Sequence, residues 1–72
     1  MNATERARAY RRAQGMTQAE FAERFGLPLQ TYRQWENGRR RPDRASEILL
    51  CVIVTEPDLV ARVVAICQGK GG

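Results

Sequence analysis

Residues 17–38, TQAEFAERFGLPLQTYRQWENG, decide the fold. Thr17 and Glu20 stand in the spacing of a capping box, in which each side chain bonds the other residue's backbone N–H and opens a helix. Phe21, Ala22 and Phe25 then share one helical face, and Gly26 closes the helix after two turns. Pro28 suits the first position of a second helix, where its fixed φ and missing N–H cost nothing. That helix turns Tyr32 and Trp35 inward and stops at Asn37-Gly38. Two short helices crossing steeply need a small residue at the crossing, a turn residue free to adopt positive φ, and apolar residues locking both to a base. Ala22, Gly26, and the set Phe21, Phe25, Leu27, Tyr32 and Trp35 fill those roles. The spacing predicts a helix-turn-helix.

Outward from this unit, residues 3–14 read as an Arg-rich helix with Ala7, Tyr10 and either Ala3 or Ala13 inward, preceded by Asn2 and Glu5 in a second capping-box spacing and ended by Gly15. Arg39, Arg40, Arg41 and Pro42 form a basic loop, after which Asp43 caps a helix of about 44–54. That helix is almost wholly apolar from Ile48 onward and is expected to be central. Thr55 and Pro57 punctuate the chain before a last helix of about 56–67. Its stripe of Leu59, Val60, Val63, Val64 and Ile66 is wider than one core face requires, which admits two readings: intramolecular core or a dimer interface. Residues 69–72 read as a frayed tail. No repeat or linker divides the chain, so residues 1–72 are expected to form a single all-α domain, a bundle of five helices.

Composition narrows the partners. The 72 residues are 43% hydrophobic, enough for a core, but a chain this short buries only about 60% of its unfolded surface. Twelve Lys and Arg against eight Asp and Glu leave a net charge of +4, and eleven of the twelve bases are Arg, the side chain suited to phosphates and guanine edges. Residues 1–44 hold ten bases and five acids (+5), whereas residues 45–72 hold two bases and three acids (−1). The positive field therefore belongs to the first part, and a polyanion is the expected partner. Histidine is absent, and the two cysteines, Cys51 and Cys67, are too far apart for a CxxC pair or a zinc knuckle. Both lie in apolar runs and are expected to be buried as small hydrophobes. The longest apolar run, Ile48–Val54, is too short to span a membrane, and no leader pattern precedes the first polar helix. These features point to a reducing cytoplasm, with no cofactor and no metal. An enzyme lacks its parts here: no His, no clustered carboxylates, no glycine-rich phosphate loop.

TQAEFAERFGLPLQTYRQWENG followed by RRRP resembles the Cro/CI-type helix-turn-helix proteins, with their TQ-x-x-hydrophobic-A…G…W-E-N-G motif and basic-Pro loop, over roughly residues 5–55. The resemblance implies a lambda-repressor-like fold and a DNA-binding transcriptional regulator of a prokaryote or phage, acting at the nucleoid. Pro28-Leu29 ahead of the Thr31-x-Arg33-x-Trp35-Glu36 run, with the apolar helix after Glu56-Pro57, is similar to HigA-type antitoxins, which implies a repressor of its own operon with a toxin as a second partner.

Tyr32 and Trp35 fix the inward face of the predicted recognition helix at residues 28–36, which leaves Leu29, Gln30, Arg33 and Gln34 outward. Gln can bond adenine N6 and N7, Arg can fork onto guanine O6 and N7, and Leu29 can pack on a thymine methyl. The resemblance assigns Gln30 and Gln34 to base contacts and Gln18, at the start of the preceding helix, to a phosphate. Thr17, Thr31, Asn37, Arg39, Arg40 and Arg41 are the further phosphate candidates. Arg11 and Arg12 are weaker phosphate candidates, because on the outer face of the first helix solubility alone explains them equally well. Glu36 does not suit DNA and is expected to pair with an Arg of the first helix or to cap locally. Without the motif, polar residues outside a helix are most often merely solvated. The expected assembly is a homodimer on an inverted repeat of double-stranded DNA. An alternative is a protein-interaction module that keeps the fold and neutralises a toxin without specific DNA readout.

Overall fold

A computed structural model describes residues 1–69 and contains five helices: α1 (Ala3–Ala13), α2 (Gln18–Phe25), α3 (Leu29–Glu36), α4 (Arg44–Thr55) and α5 (Pro57–Cys67). No strand occurs among the described residues. Both capping boxes form: Asn2 Oδ1 and Glu5 Oε1 exchange bonds with each other's backbone N–H at 2.8 Å, and Thr17 and Glu20 do so at 3.0 and 2.8 Å. The Asp43 carboxylate caps α4 by accepting from the Ser46 N–H at 2.8 Å. Glu56, at φ −133° and ψ 63°, ends α4 and begins α5, with Pro57 at the first turn. Pro28 sits one position earlier than its ring chemistry predicts, as the cap residue of α3 with ψ 124°. Its carbonyl accepts the first bond of the helix, from the Tyr32 N–H at 2.9 Å.

The core is one cluster: Ala7 from α1, Phe21, Ala22 and Phe25 from α2, Leu27 from the turn, Tyr32 and Trp35 from α3, Leu50 and Ile53 from α4, and Val60 from α5. Aromatic rings bind its first half together. Phe21 lies 4.9 Å from Phe25 edge-on and 4.9 Å from Tyr32 in a stack, while Tyr10 of α1 meets both phenylalanines at about 6.4 and 6.3 Å. Such contacts add about 0.5–1.5 kcal/mol each beyond their buried area. Of the first helix's two candidate alanines, Ala3 packs on the core and Ala13 is exposed.

The α2–α3 turn is seated on α5. Gly26 adopts φ +71°, and a β-carbon there would lie 3.1 Å from both methyl groups of Val64. Gly26 thus answers two demands, a left-handed backbone and a close approach.

Two expectations fail in the C-terminal part. Helix α4 is not central: only Leu50 and Ile53 are buried, while Ile48, Leu49 and Val52 stay exposed. It packs on α1 along one side and on α5 along another, and the described residues leave its remaining face largely uncovered. Cys51 and Cys67 are exposed free thiols and not buried hydrophobes, because their positions on the helices fall away from those packing sides. The wide stripe of α5 divides: Val60, Ala61 and Val64 face the core, while Leu59, Val63 and Ile66 are 44%, 48% and 66% exposed. Of the predicted tail, residues 70–72 lie outside the described residues.

Candidate nucleic-acid interface

The recognition helix is held by two aromatic anchors, and what they bury decides what remains outside. Tyr32 is fully buried and Trp35 nearly so, which leaves Gln30 and Arg33 exposed on the opposite side with Gln34 and Thr31 half-buried beside them. Gln30 and Gln34 are i, i+4 neighbours and share that edge. Leu29 corrects its predicted placement: it is half-buried and packs against the core instead of standing free for a thymine methyl. At the first turn of so short a helix, an apolar side chain gains more by closing the turn than by facing water.

The basic loop is pinned to the end of this helix. The Gln34 carbonyl accepts from the Arg39 N–H at 2.9 Å and the Arg40 N–H at 3.3 Å, and Gly38, with φ +74°, lets the chain reverse. Arg39, Arg40 and Arg41 therefore emerge beside the C-terminus of α3, all exposed, together with exposed Asn37. The Arg40 guanidinium also reaches Gln34 Oε1 at 3.5 Å. At the start of α2, the Thr17 hydroxyl oxygen is engaged in the capping box, and the backbone N–H groups of Gln18 and Ala19 are the open donors of the first turn.

Glu36 lies on the other side of α3 and gathers the three N-terminal helices. Arg11 of α1 donates to it in a fork, Nε to Oε2 at 2.9 Å and Nη2 to Oε1 at 3.0 Å. The Gln18 Nε2 amide donates to Oε1 at 2.9 Å. Arg11 also donates to the Met16 carbonyl at 2.9 Å, and Arg8 donates to the Glu36 backbone carbonyl at 3.2 Å. The paired side chains are 12% and 4% exposed, so this is an ion pair largely shut away from water. Burial pushes the Glu36 carboxyl up, but the hydrogen bond from Arg11, the nearby Tyr32 hydroxyl and the Gln18 amide outweigh it and hold it below its usual range. Hydrogen bonding to Glu36 raises the Arg11 guanidinium correspondingly. The Tyr32 hydroxyl points at this pair without a hydrogen bond of good geometry, and burial pushes its ionisation up beyond its usual value.

Arg11 is thus a structural cation, not the surface charge its place on α1 suggested, whereas Arg12 is exposed. The expectation that Glu36 pairs with an Arg of the first helix holds, and Arg11 is the partner. Sequence reasoning missed Arg8 and the Gln18–Glu36 bond. Both depend on contacts between residues 28 and 18 positions apart, which no local pattern signals.

Among the described residues no group of His, Cys, Asp and Glu is placed to hold a metal, and no helix is long and apolar enough to cross a membrane. A helix-turn-helix family model matches residues 8–46, more than half of the chain. The fold and the site define a helix-turn-helix DNA-binding regulator. The chain belongs to the Cro/CI-type helix-turn-helix family. Neither a curated protein nor a solved structure matches the chain.

Proposed function

We propose that this protein is a sequence-specific transcriptional repressor that inserts α3 into the major groove and binds an inverted repeat as a homodimer, autoregulating its own operon as an antitoxin does. The observation that carries the reading is the exposed edge of α3: Gln30 and Arg33 stand free of the core with Gln34 beside them, on a helix fixed from behind by Tyr32 and Trp35. Gln30 and Gln34 read adenine, Arg33 reads guanine, and each good pair contributes about 1–3 kcal/mol of discrimination. Leu29 contributes at most an edge to that surface. Thr17 and Gln18 at the start of α2, Thr31 on α3, Asn37 just after it, and Arg39, Arg40 and Arg41 in the loop hold phosphates on either side of the groove.

Dimerisation is supported by length and by an uncovered face. Eight residues make a helix about 12 Å long, which spans only three or four base pairs at roughly 3.4 Å each. Two copies on an inverted repeat double that reading. The α5 stripe of Leu59, Val63 and Ile66, at i, i+4 and i+7, is an apolar surface of the kind a second copy covers.

The test is titration of duplexes from the region upstream of the protein's own gene at several salt concentrations. A preferred fragment should emerge, and Gln30→Ala and Gln34→Ala should each lower affinity for it by about tenfold while leaving binding to other fragments unchanged. Binding without sequence preference, indifferent to both substitutions, would remove the recognition-helix assignment. The second reading, a module that neutralises a toxin without specific DNA readout, is favoured by the same α5 stripe, which a partner protein would also cover. Co-purification with the product of a neighbouring reading frame, together with absence of DNA preference, would establish it instead.

A further inference from the structure

We propose that Glu36 is a positioning residue for DNA binding: its carboxylate orients the Gln18 side chain at the start of α2 so that Gln18 meets the phosphate backbone already ordered. This rests on the reading of Gln18 as a phosphate contact. A glutamine at a helix start is a long side chain with free torsions and an amide that can present either its oxygen or its N–H groups. A carboxylate only accepts, so the 2.9 Å contact with Glu36 Oε1 requires the amide to turn Nε2 toward it. One N–H is consumed there. The second, with the open backbone N–H groups of the first turn of α2, is left for an anion.

A carboxylate beside a phosphate would ordinarily repel it. Here the forked Arg11 bonds at 2.9 and 3.0 Å cancel the charge, and Glu36 and Arg11 are 4% and 12% exposed, so DNA meets the glutamine and not the acid. Because Glu36 is the last residue of α3 and Gln18 the first of α2, the same bond also fixes the distance from the phosphate anchor to the recognition helix. Arg11 ties both to α1. Arg8, donating to the Glu36 carbonyl, holds the end of α3 from the same side.

The test uses the full chain and a random-sequence duplex of about twenty base pairs, on which phosphate contacts operate without base readout. Replacing the ion pair together, R11M with E36M, removes the anchor while leaving net charge unchanged and no charge buried alone. Q18A removes the anchored group. Each should weaken binding by about tenfold, the worth of one hydrogen bond to a charged acceptor, and the triple variant should be no weaker than either. A structural contribution unrelated to Gln18 would instead multiply with Q18A. Wild-type affinity in R11M/E36M, or losses that multiply in the triple variant, would overturn the role of Glu36 while leaving the DNA reading intact. Absence of wild-type binding to any duplex would overturn the DNA reading and this role with it. A nuclear magnetic resonance measurement on the wild type stands independently of how the variants fold. One Gln18 side-chain amide proton should be displaced downfield by the carboxylate, and an amide with free-glutamine shifts would equally overturn the proposal.

Discussion

Arg11 and Glu36 are the residues on which the N-terminal half closes, and they make a prediction of different size for single and double replacement. Arg11→Met leaves a carboxylate 4% exposed and unpaired, and should cost about 3 kcal/mol in denaturant unfolding at neutral pH. Replacing both with Met should cost much less, within about 1 kcal/mol of wild type. The pair also ties stability to acid. Glu36 is held below its usual 4.5, so the unfolded chain binds the proton more readily than the folded one. Its contribution is complete above about that value and is lost as pH falls through the lower folded one. The acid limb of a stability profile should therefore be shallower in R11M/E36M than in wild type. Asp43, lowered by the Ser46 N–H, acts in the same window and should be unaffected by the double substitution. Two glycines separate backbone from contact. Gly38 has φ +74° with nothing within 4 Å, so Gly38→Ala should cost about 1 kcal/mol, the left-handed penalty alone. Gly26→Ala carries the same penalty plus the 3.1 Å approach to Val64, and should be worse by about a further 1–2 kcal/mol. Equal costs in thermal or urea unfolding would mean that the turn is not braced by α5.

At the scale of elements, local chemistry located the helices to within one or two residues, because caps and breakers act over a single turn. Asn2 with Glu5, Thr17 with Glu20, and Asp43 each mark a start that the structure forms. Local chemistry did not decide which faces are covered. The apolar runs of α4 and α5 predict burial wherever they point, yet among the described residues α4 is covered chiefly where α1 and α5 touch it. Cys51 was misplaced for the same reason. The α5 stripe is the element whose role follows from what is left over, and its exposed residues can be altered without opening the core. Val63→Asp with Ile66→Asp should leave helicity and unfolding midpoint close to wild type. If α5 joins two copies, that variant should sediment as a monomer where the wild type sediments as a dimer; unchanged sedimentation would remove α5 from the interface.

Over the whole molecule, charge and shape divide the labour. The extents are 36 × 23 × 19 Å, so the long dimension is about one turn of DNA, roughly 34 Å. The excess of bases lies in residues 1–44, carried by α1 and by the loop of Arg39, Arg40 and Arg41, while the C-terminal part carries −1. Such an arrangement steers one side of the protein toward a polyanion and leaves the other for protein contacts. If Arg39, Arg40, Arg41 and Arg33 supply about four charges to the duplex, affinity should fall on the order of a hundredfold between about 50 and 200 mM salt. Replacing Arg39 and Arg41 with Gln should flatten the salt dependence by about two phosphates and weaken all sequences alike. A loss confined to one sequence would place those arginines at bases instead.

The sequence by itself determined the helix count, the helix-turn-helix, the anchors Tyr32 and Trp35, and the exposed edge of Gln30 and Arg33, because period, caps and turn residues are local and act within a few positions. Only the tertiary structure decided which long-range partners those residues take. Arg11 and Gln18 were legible as charge and amide but not as the two donors that share Glu36, and Leu29 was legible as outward by period but is drawn inward by the core. The physical reason is the same in each case. Side-chain direction on a helix follows from spacing alone, whereas burial and pairing depend on the neighbour that folding brings alongside.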